Sequence, residues 1–517
     1  MKRSGKRFRL AALLTAVSLM TGCTASTLET PEEALPTLAP AAVGWTAPDG
    51  DRMEGDEGLW TLYLPGKNGL NLVAQHIPGT PGLLRTERLE QMCRELLSFQ
   101  ANSQVDALRT ESPLELAGTN PVEFSSGVAT VNLSSPALGL SYRQFYIMSL
   151  ALAATLCEEE SVRCVNVLVE GRCPGLDAAG TLTMGSLIAY PGGNLPVLWE
   201  QMEARRTPVG QDAAATPLTA YMTLYYPLEN GEGIGCENRT LTFPGQTPRQ
   251  MAESILEALS HDAMYLPAAQ EMPNLPSLLA YEPLTSELAD GGRMITLTFR
   301  EEMTETLAEM GVDEACLTAA LCYTMTTFIP GLTGVAIRIG DRPLTAVSSE
   351  KFGTISVPGG LFRREMFESF LMGQIPVYFT REDMLVPIEK SIARELADSP
   401  RAQLASLLEG PGEPERAEGL EPTLPEGVGE EDILGIALEG DTLLVNLSES
   451  FRDEIQSWGR DRETLLCYSM VNTLCDNTGA RQVCFFFEGV QVEYICGSIY
   501  WAGVFNENSG LAEESFG

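Results

Sequence analysis

The chain has 517 residues, 44% of them hydrophobic and 20% charged, an ordinary globular balance that leaves room for about three domains of roughly 150 residues, each with its own core. Thirty-four basic residues against 70 acidic ones give a net charge of −36. Such a surface repels nucleic acid and anionic headgroups, which excludes a nucleic-acid-binding role.

Residues 1–22 read as a signal peptide. Lys2, Arg3, Lys6, Arg7 and Arg9 make a basic start, and Leu10 to Met20 is an apolar core too short to span a bilayer as a mature helix. Thr21 and Gly22 place small residues before Cys23, a pattern that resembles a bacterial lipobox. That resemblance implies a lipid-modified Cys23 and an extracytoplasmic lipoprotein anchored by acyl burial, at about 0.8 kcal/mol per methylene. Residues 23–55, rich in Thr, Ala, Pro, Gly and Glu, read as a flexible tether holding the first domain off the membrane.

A first module spans 56–190. Trp60 to Leu64 and Leu70 to His76 alternate as a strand pair, and Thr86 opens a helix with Leu89, Met92, Cys93, Leu96 and Leu97 on one face. Val128 to Leu133 is a strand. Ser141 and Gln144 form a capping box for an apolar helix, and Val165, Val167 and Val169 line a closing strand. A connector over 191–216 follows. The second module, 217–348, carries a Thr247-Pro248 helix start, a strand with Ile295, Leu297 and Phe299 inward, an Asp313 cap, and a last strand with Val335, Ile337 and Ile339. A second connector covers 349–373. Each connector has room for a short helix, and Trp199, Phe362 and Phe367 call for cover. The third module, 374–505, repeats the order. Val377-Tyr378-Phe379 and Leu385 to Ile388 open it, Ser399-Pro400 starts a helix, Leu443, Val445 and Leu447 alternate, Asp461 caps, and Val483, Phe485 and Phe487 close the sheet. Residues 506–517 are a tail.

The same phrase therefore occurs three times: VATVNLS after Gly127, RMITLTF after Gly292 and TLLVNLS after Asp441, each followed by an apolar helix and a strand ending in a turn. The centres Val131, Leu297 and Val445 recur at a domain-sized interval. The predicted fold class is α+β: three tandem small modules, each an opening strand pair followed by α-β-β-α-β. The helices cover one face of a small sheet, and the other face is solvated or meets a neighbouring module.

The third module carries the specific words. Leu407-Leu408-Glu409-Gly410-Pro411, then Leu424-Pro425-Glu426-Gly427, then ILGIALEGDTLLVNLSESF from Ile433, closely resemble the GerM domain of sporulation and germination lipoproteins. The two upstream modules lack the L-L-x-G-P turn but keep the hairpin strand, second helix and last strand, and resemble degenerate copies. The resemblance implies a fold similar to the ring-building motif of secretion systems and an extracytoplasmic lipoprotein that assembles envelope complexes during sporulation or germination. It carries no catalytic residue, cofactor or metal. Related domains accompany sensor kinases in other lipoproteins, an alternative role.

The residues themselves point to no enzyme. His76 and His261 sit apart from any G-x-S-x-G turn, and neither H-E-x-x-H nor C-x-x-C occurs. Acidic pairs such as Glu301-Glu302 arise by chance among 70 acids. Cys23 apart, an odd number of cysteines remains, mostly on apolar faces, and they read as core thiols. Cys157 with Cys164, and Cys475 with Cys484, are the pairs placed to bridge. The expected partners are envelope or sporulation proteins, with stacking and self-association through the linked modules. The alternative is cell-wall glycan binding on exposed aromatics, for which Trp458, Tyr500 and Trp501 are the candidate interaction surface.

Overall fold

The computed structural model describes residues 45–54, 58–159, 161–177, 180–190, 192–208, 210–289, 291–424 and 427–513. A short strand, β1 (Arg52–Glu54), precedes the first module. That module opens with the ribbon β2 (Leu59–Pro65) and β3 (Leu72–Pro78). It continues through α1 (Arg85–Ser98), the hairpin β4 (Val122–Ser125) and β5 (Val128–Leu133), α2 (Tyr142–Leu156), β6 (Cys164–Val169) and β7 (Leu187–Ile188). Helix α3 (Leu195–Glu203) leads to the second module. Its elements are β8 (Leu218–Pro227), β9 (Ile234–Phe243), α4 (Pro248–Leu259), α5 (Leu275–Leu278), β10 (Leu284–Glu287), β11 (Arg293–Phe299), α6 (Met303–Met310), α7 (Glu314–Phe328) and β12 (Leu332–Ile339). Short strands β13 (Arg342–Pro343), β14 (Ala346–Ser349), β15 (Gly353–Ser356) and β16 (Leu361–Phe362) lead to the third module. That module comprises β17 (Met372–Arg381), β18 (Met384–Ala393), α8 (Pro400–Leu408), α9 (Glu413–Ala417), β19 (Ile433–Glu439), β20 (Thr442–Leu447), α10 (Glu449–Gln456), α11 (Arg460–Thr478), β21 (Gln482–Phe487) and β22 (Val504–Asn506).

The fold is α+β, with one plan used three times. In the sheets β4-β5-β6-β7, β10-β11-β12 and β19-β20-β21-β22, the strand before the long helix is antiparallel to its hairpin mate and parallel to the strand after the helix. A parallel neighbour needs a crossover, and α2, α7 and α11 supply it. The register repeats: Leu133 faces Val169, Phe299 faces Ile339 and Leu447 faces Phe487. One residue further on, the N–H groups of Glu170, Gly340 and Glu488 donate to Leu133, Phe299 and Leu447 carbonyls at 2.9, 2.8 and 2.8 Å.

A second repeat is chemical. The long helix of each module packs on the opening ribbon, and a buried threonine hydroxyl on it accepts the N–H of a ribbon tyrosine. Thr155 takes Tyr63 at 2.9 Å, Thr324 takes Tyr225 at 3.0 Å and Thr473 takes Tyr378 at 3.1 Å. A two-stranded ribbon leaves N–H groups without ladder partners, and a hydroxyl on the covering helix satisfies one of them. Thr324→Val keeps the shape and removes the acceptor, so it is expected to cost about 1–3 kcal/mol, read as a lowered midpoint in chemical unfolding.

Local signals behave as the sequence reads. Ser141, Thr247, Asp313 and Ser399 each accept the N–H three residues on. Two starts differ. Helix α11 begins at Arg460 with Gly459 as N-cap at φ 88, so Asp461 lies inside its first turn; the left-handed φ favours glycine there. Helix α1 begins at Arg85, and Thr86 does not cap it. Instead Asp398, from the third module, accepts both the N–H and the hydroxyl of Thr86, at 2.7 and 2.8 Å.

The core also departs from one core per domain. Modules one and two share a continuous apolar cluster running from Leu62 to Met372, while the third has its own from Ile375 to Phe505. The cause is the joint. The ribbon β8–β9 lies across the outer face of β6, which is buried along its whole length. Asn166 Nδ2 donates to Thr223 Oγ1 at 3.1 Å, and Ser186 N to Tyr221 O at 2.6 Å. The contact is thus ribbon on sheet. Phe362 and Phe367 are fully buried, so the second connector is part of the core. Beside them Arg364 is buried too. Its guanidinium donates to Glu123 on β4 at 2.7 Å and to Thr327 on α7 at 2.8 Å, and lies 4.4 Å from the Tyr323 ring centroid.

Candidate functional site

The outer face of the third sheet carries Ala437, Leu444, Cys484 and Phe486. Trp45 and Ala47 cover it. Strand β1 then pairs parallel to β19, from Arg52 with Ala437 to Glu54 with Glu439. Asn446 Nδ2 donates to Pro48 O at 2.9 Å. Arg401 holds the Asp51 carboxylate with two N–H groups, at 2.6 and 2.8 Å, and Ile436 N adds a third at 3.0 Å. Burial works against the charge on Asp51, but Arg401 and that N–H outweigh it and hold the carboxyl below its ordinary value. Gly435 is where the strap crosses: a Cβ there would sit 2.7 Å from the Gly50 nitrogen. Residues 45–54 are therefore a docked strap, not part of a flexible tether as the composition implies. An apolar sheet face and an open strand edge both gain by being covered.

The asparagine of the N-L-S phrase explains itself here. Asn446 Oδ1 accepts Gly489 N at 2.9 Å and Asn132 Oδ1 accepts Gly171 N at 2.8 Å, so both fasten the turn after the closing strand. Asn132 Nδ2 reaches Ala117 O at 3.1 Å in the first module, as Asn446 reaches the strap in the third.

Past that turn, a long loop runs to β22. It is organised by Glu463, whose side chain on α11 is fully buried. The carboxylate accepts from Cys496 N, Ser498 N, Ile499 N and Trp501 Nε1, at 2.9, 2.7, 3.3 and 2.8 Å. Burial pushes its pKa up, yet the four donors together carry it below the ordinary glutamate value. Trp501 is 0% exposed and packs its ring edge-on to Phe485 and Phe487. It is a core residue, not an open stacking platform as its sequence setting implies, because its indole N–H finds a buried charge. Tyr500 is 37% exposed and stands 5.5 Å, ring to ring, from Tyr494, which is 57% exposed. The loop thus presents a tyrosine pair.

Trp458 is half-buried. The Arg462 guanidinium stacks over its ring at 5.0 Å and pairs with Glu421 at 3.2 Å. Together with Thr380, Asp383 and Thr423 they line a groove of about 350 Å³. The structure keeps Trp458 and Tyr500 at the surface and takes Trp501 away. Cys23 lies outside the described residues. Glu463 was legible in principle: it falls on the same helical stripe as Leu466, Met470 and Leu474, where a charge has no reason to be unless it has partners. Tyr494 carries no such signal.

The remaining chemistry-bearing groups are dispersed. His76 contacts Thr61 Oγ1 at 3.2 Å and His261 lies 3.6 Å from Glu257, both exposed and in different modules. The described cysteines are free thiols, including Cys157, Cys164, Cys475 and Cys484. Burial pushes Cys157 and Cys164 up to about 12 and Cys173 to about 11, so these sulfurs stay protonated near neutrality. Among the described residues no group of three or more His, Cys, Asp or Glu is placed to hold a metal, and no helix is long and apolar enough to cross a membrane.

Comparison with known proteins gives the context. The Germane family, described as sporulation and spore germination, matches residues 376–493. No curated protein matches the sequence. Among solved structures, the tandem GerMN domains of the sporulation protein GerM from Bacillus subtilis align at 17% identity, over 59% of this chain and 99% of that one, with a TM-score of 0.22. A candidate lipoprotein from Clostridium perfringens aligns at 15% identity, over 28% of this chain and 95% of that one, with a TM-score of 0.19. The third module, with its L-L-x-G-P turn and V-N-L-S strand, is accordingly the part of the chain that matches the Germane family of sporulation and spore germination, and the two modules before it repeat its plan of strands and helices.

Proposed function

We propose that this protein is a lipid-anchored extracytoplasmic scaffold of the bacterial envelope, acting in sporulation or germination by holding protein partners and performing no reaction itself. The observation that carries the reading is the Germane match over 376–493, on a chain whose repeated modules pack as one unit from Trp45 onward. The lipobox pattern before Cys23 supports the anchor, and the exposed Tyr494–Tyr500 pair supports a contact surface on the third module.

The docked strap gives the anchor a direction. It fixes Trp45 to the third module, and the stretch from Cys23 to Trp45 reaches at most about 80 Å when fully drawn out. The third module, rather than the first, is then the one tied to the membrane. The test is metabolic labelling with an alkyne fatty acid, combined with proximity labelling from the anchored chain. The reading expects label on the membrane-bound protein that disappears in Cys23→Ala, and enrichment of envelope proteins. Unlabelled protein recovered from the cytosol would overturn it.

A second reading, recognition of wall glycan, rests on the same tyrosine pair, since sugars stack on exposed rings. Co-sedimentation with purified wall material that is lost in Tyr494→Ala would favour it over the scaffold.

A further inference from the structure

We propose that the cleft where the three modules meet binds a small zwitterion: a free amino acid, or a molecule of that size with one carboxylate and one ammonium group. The cleft has a volume of about 190 Å³, enough for a small amino acid and too little for a nucleotide or a folded peptide. Its lining comes from every module. Arg85 and Arg163 belong to the first, Leu266 to the second, and Gln374, Glu389 and Asp476 to the third. Sites for small molecules favour such junctions.

The polar groups there are incompletely satisfied. Arg85 is 8% exposed; its terminal nitrogens reach Asn477 O and Asp398, but Nε has no partner. Gln374 gives Nε2 to Ser391 Oγ at 2.7 Å, and its buried Oε1 accepts nothing. Ser161 Oγ, also lining the cleft, is buried and unpaired. Unmade bonds of this kind are costly, so several in one cleft call for a polar occupant. That occupant must offer an acceptor to Arg85 and a donor to Gln374. A carboxylate and an ammonium group on one carbon do both. Two arginines and two carboxyl groups line the cleft, a charge pattern that matches a zwitterion and gives no net pull on a simple anion or cation. Burial raises Glu389 and Asp476 from their ordinary values, and an ammonium group beside them would favour their charged forms.

The test is thermal unfolding and calorimetry of the full-length protein with each standard L-amino acid at millimolar concentration, and with acetate and methylamine as half-ligands. A subset of amino acids should raise the melting temperature by about 2–3 °C at a hundredfold excess over Kd, and the half-ligands should not. Ser161→Phe, which fills the cleft, and Gln374→Leu, which removes the acceptor, should both abolish the shift while still unfolding cooperatively. No shift with any amino acid would overturn the proposal, as would an equal shift with acetate or methylamine alone. A shift that persists in both variants would place binding elsewhere and overturn it too.

Discussion

Arg364→Ala is expected to destabilise the joint body of the first two modules by about 3–5 kcal/mol, the cost of leaving one partner of a buried pair alone. Arg364 and Glu123 are both largely buried and make a 2.7 Å contact. Truncation strands the Glu123 carboxylate, leaves Thr327 Oγ1 without its donor and opens a gap over the Tyr323 ring. The midpoint of urea unfolding followed by tyrosine fluorescence should fall accordingly. Lysine would not rescue it, because an ammonium cannot reach Glu123 and Thr327 in a fork while lying flat on a ring. The double variant Arg364→Met with Glu123→Leu should recover most of the loss, since a buried pair replaced by apolar groups is often neutral. A single variant within about 0.5 kcal/mol of the parent would show that the pair does not hold the modules together.

Glu463→Gln should cost the third module about 2–4 kcal/mol. Four donors converge on this carboxylate, and bonds to a charged acceptor contribute more than neutral ones. A glutamine has one acceptor oxygen and would aim its own N–H groups at donors. The loop that carries Tyr494 and Tyr500 should lose order first, seen as faster hydrogen exchange over residues 488–503 and quicker proteolysis there. The pH dependence has a definite sign. The folded-state pKa of Glu463 is lowered, so its contribution is fully present above the ordinary glutamate value. It is lost as pH falls below about 4.5 and through the folded value. The parent protein should therefore weaken in that acid range, and Glu463→Gln should show less of that dependence. An unchanged acid profile in the variant would sink this account.

Much of the architecture was legible because it is written locally. Alternation at Leu443, Val445 and Leu447, the hydroxyl or carboxylate caps at Ser141, Thr247, Asp313 and Ser399, and the L-L-x-G-P turn at Leu407 to Pro411 all involve residues within one element or its edge. A helix start depends on the next three N–H groups, and a strand face on every second side chain. The misread starts at Thr86 and Asp461 mark the limit of such signals. At Thr86 the capping carboxylate comes from Asp398, more than three hundred positions away, and no spacing rule reaches that far.

The candidate surface was legible only in part, for the same reason. Trp458, Tyr500 and Trp501 are alike as sequence, three aromatics outside the alternating strands and apolar helix stripes. Whether each is open depends on what lies across from it. Glu463 draws Trp501 inward, Arg462 half-covers Trp458, and Tyr500 is left facing Tyr494. Composition likewise made residues 45–54 part of a tether, because Pro and Gly resist regular structure. The sheet face of Ala437, Leu444 and Phe486, which they cover, is not visible from within the segment.

The amino-acid order by itself determined the triplicated plan, the kind of each element, and the Germane likeness of the last module, since these rest on periodicity and on neighbours in the chain. Only the tertiary structure decided that two modules share one core, that the N-terminal strap belongs to the third, and that buried charges at Arg364 and Glu463 hold joint and loop. Those outcomes are set by which distant surfaces lose water together, and burial of that kind is a property of the packed whole.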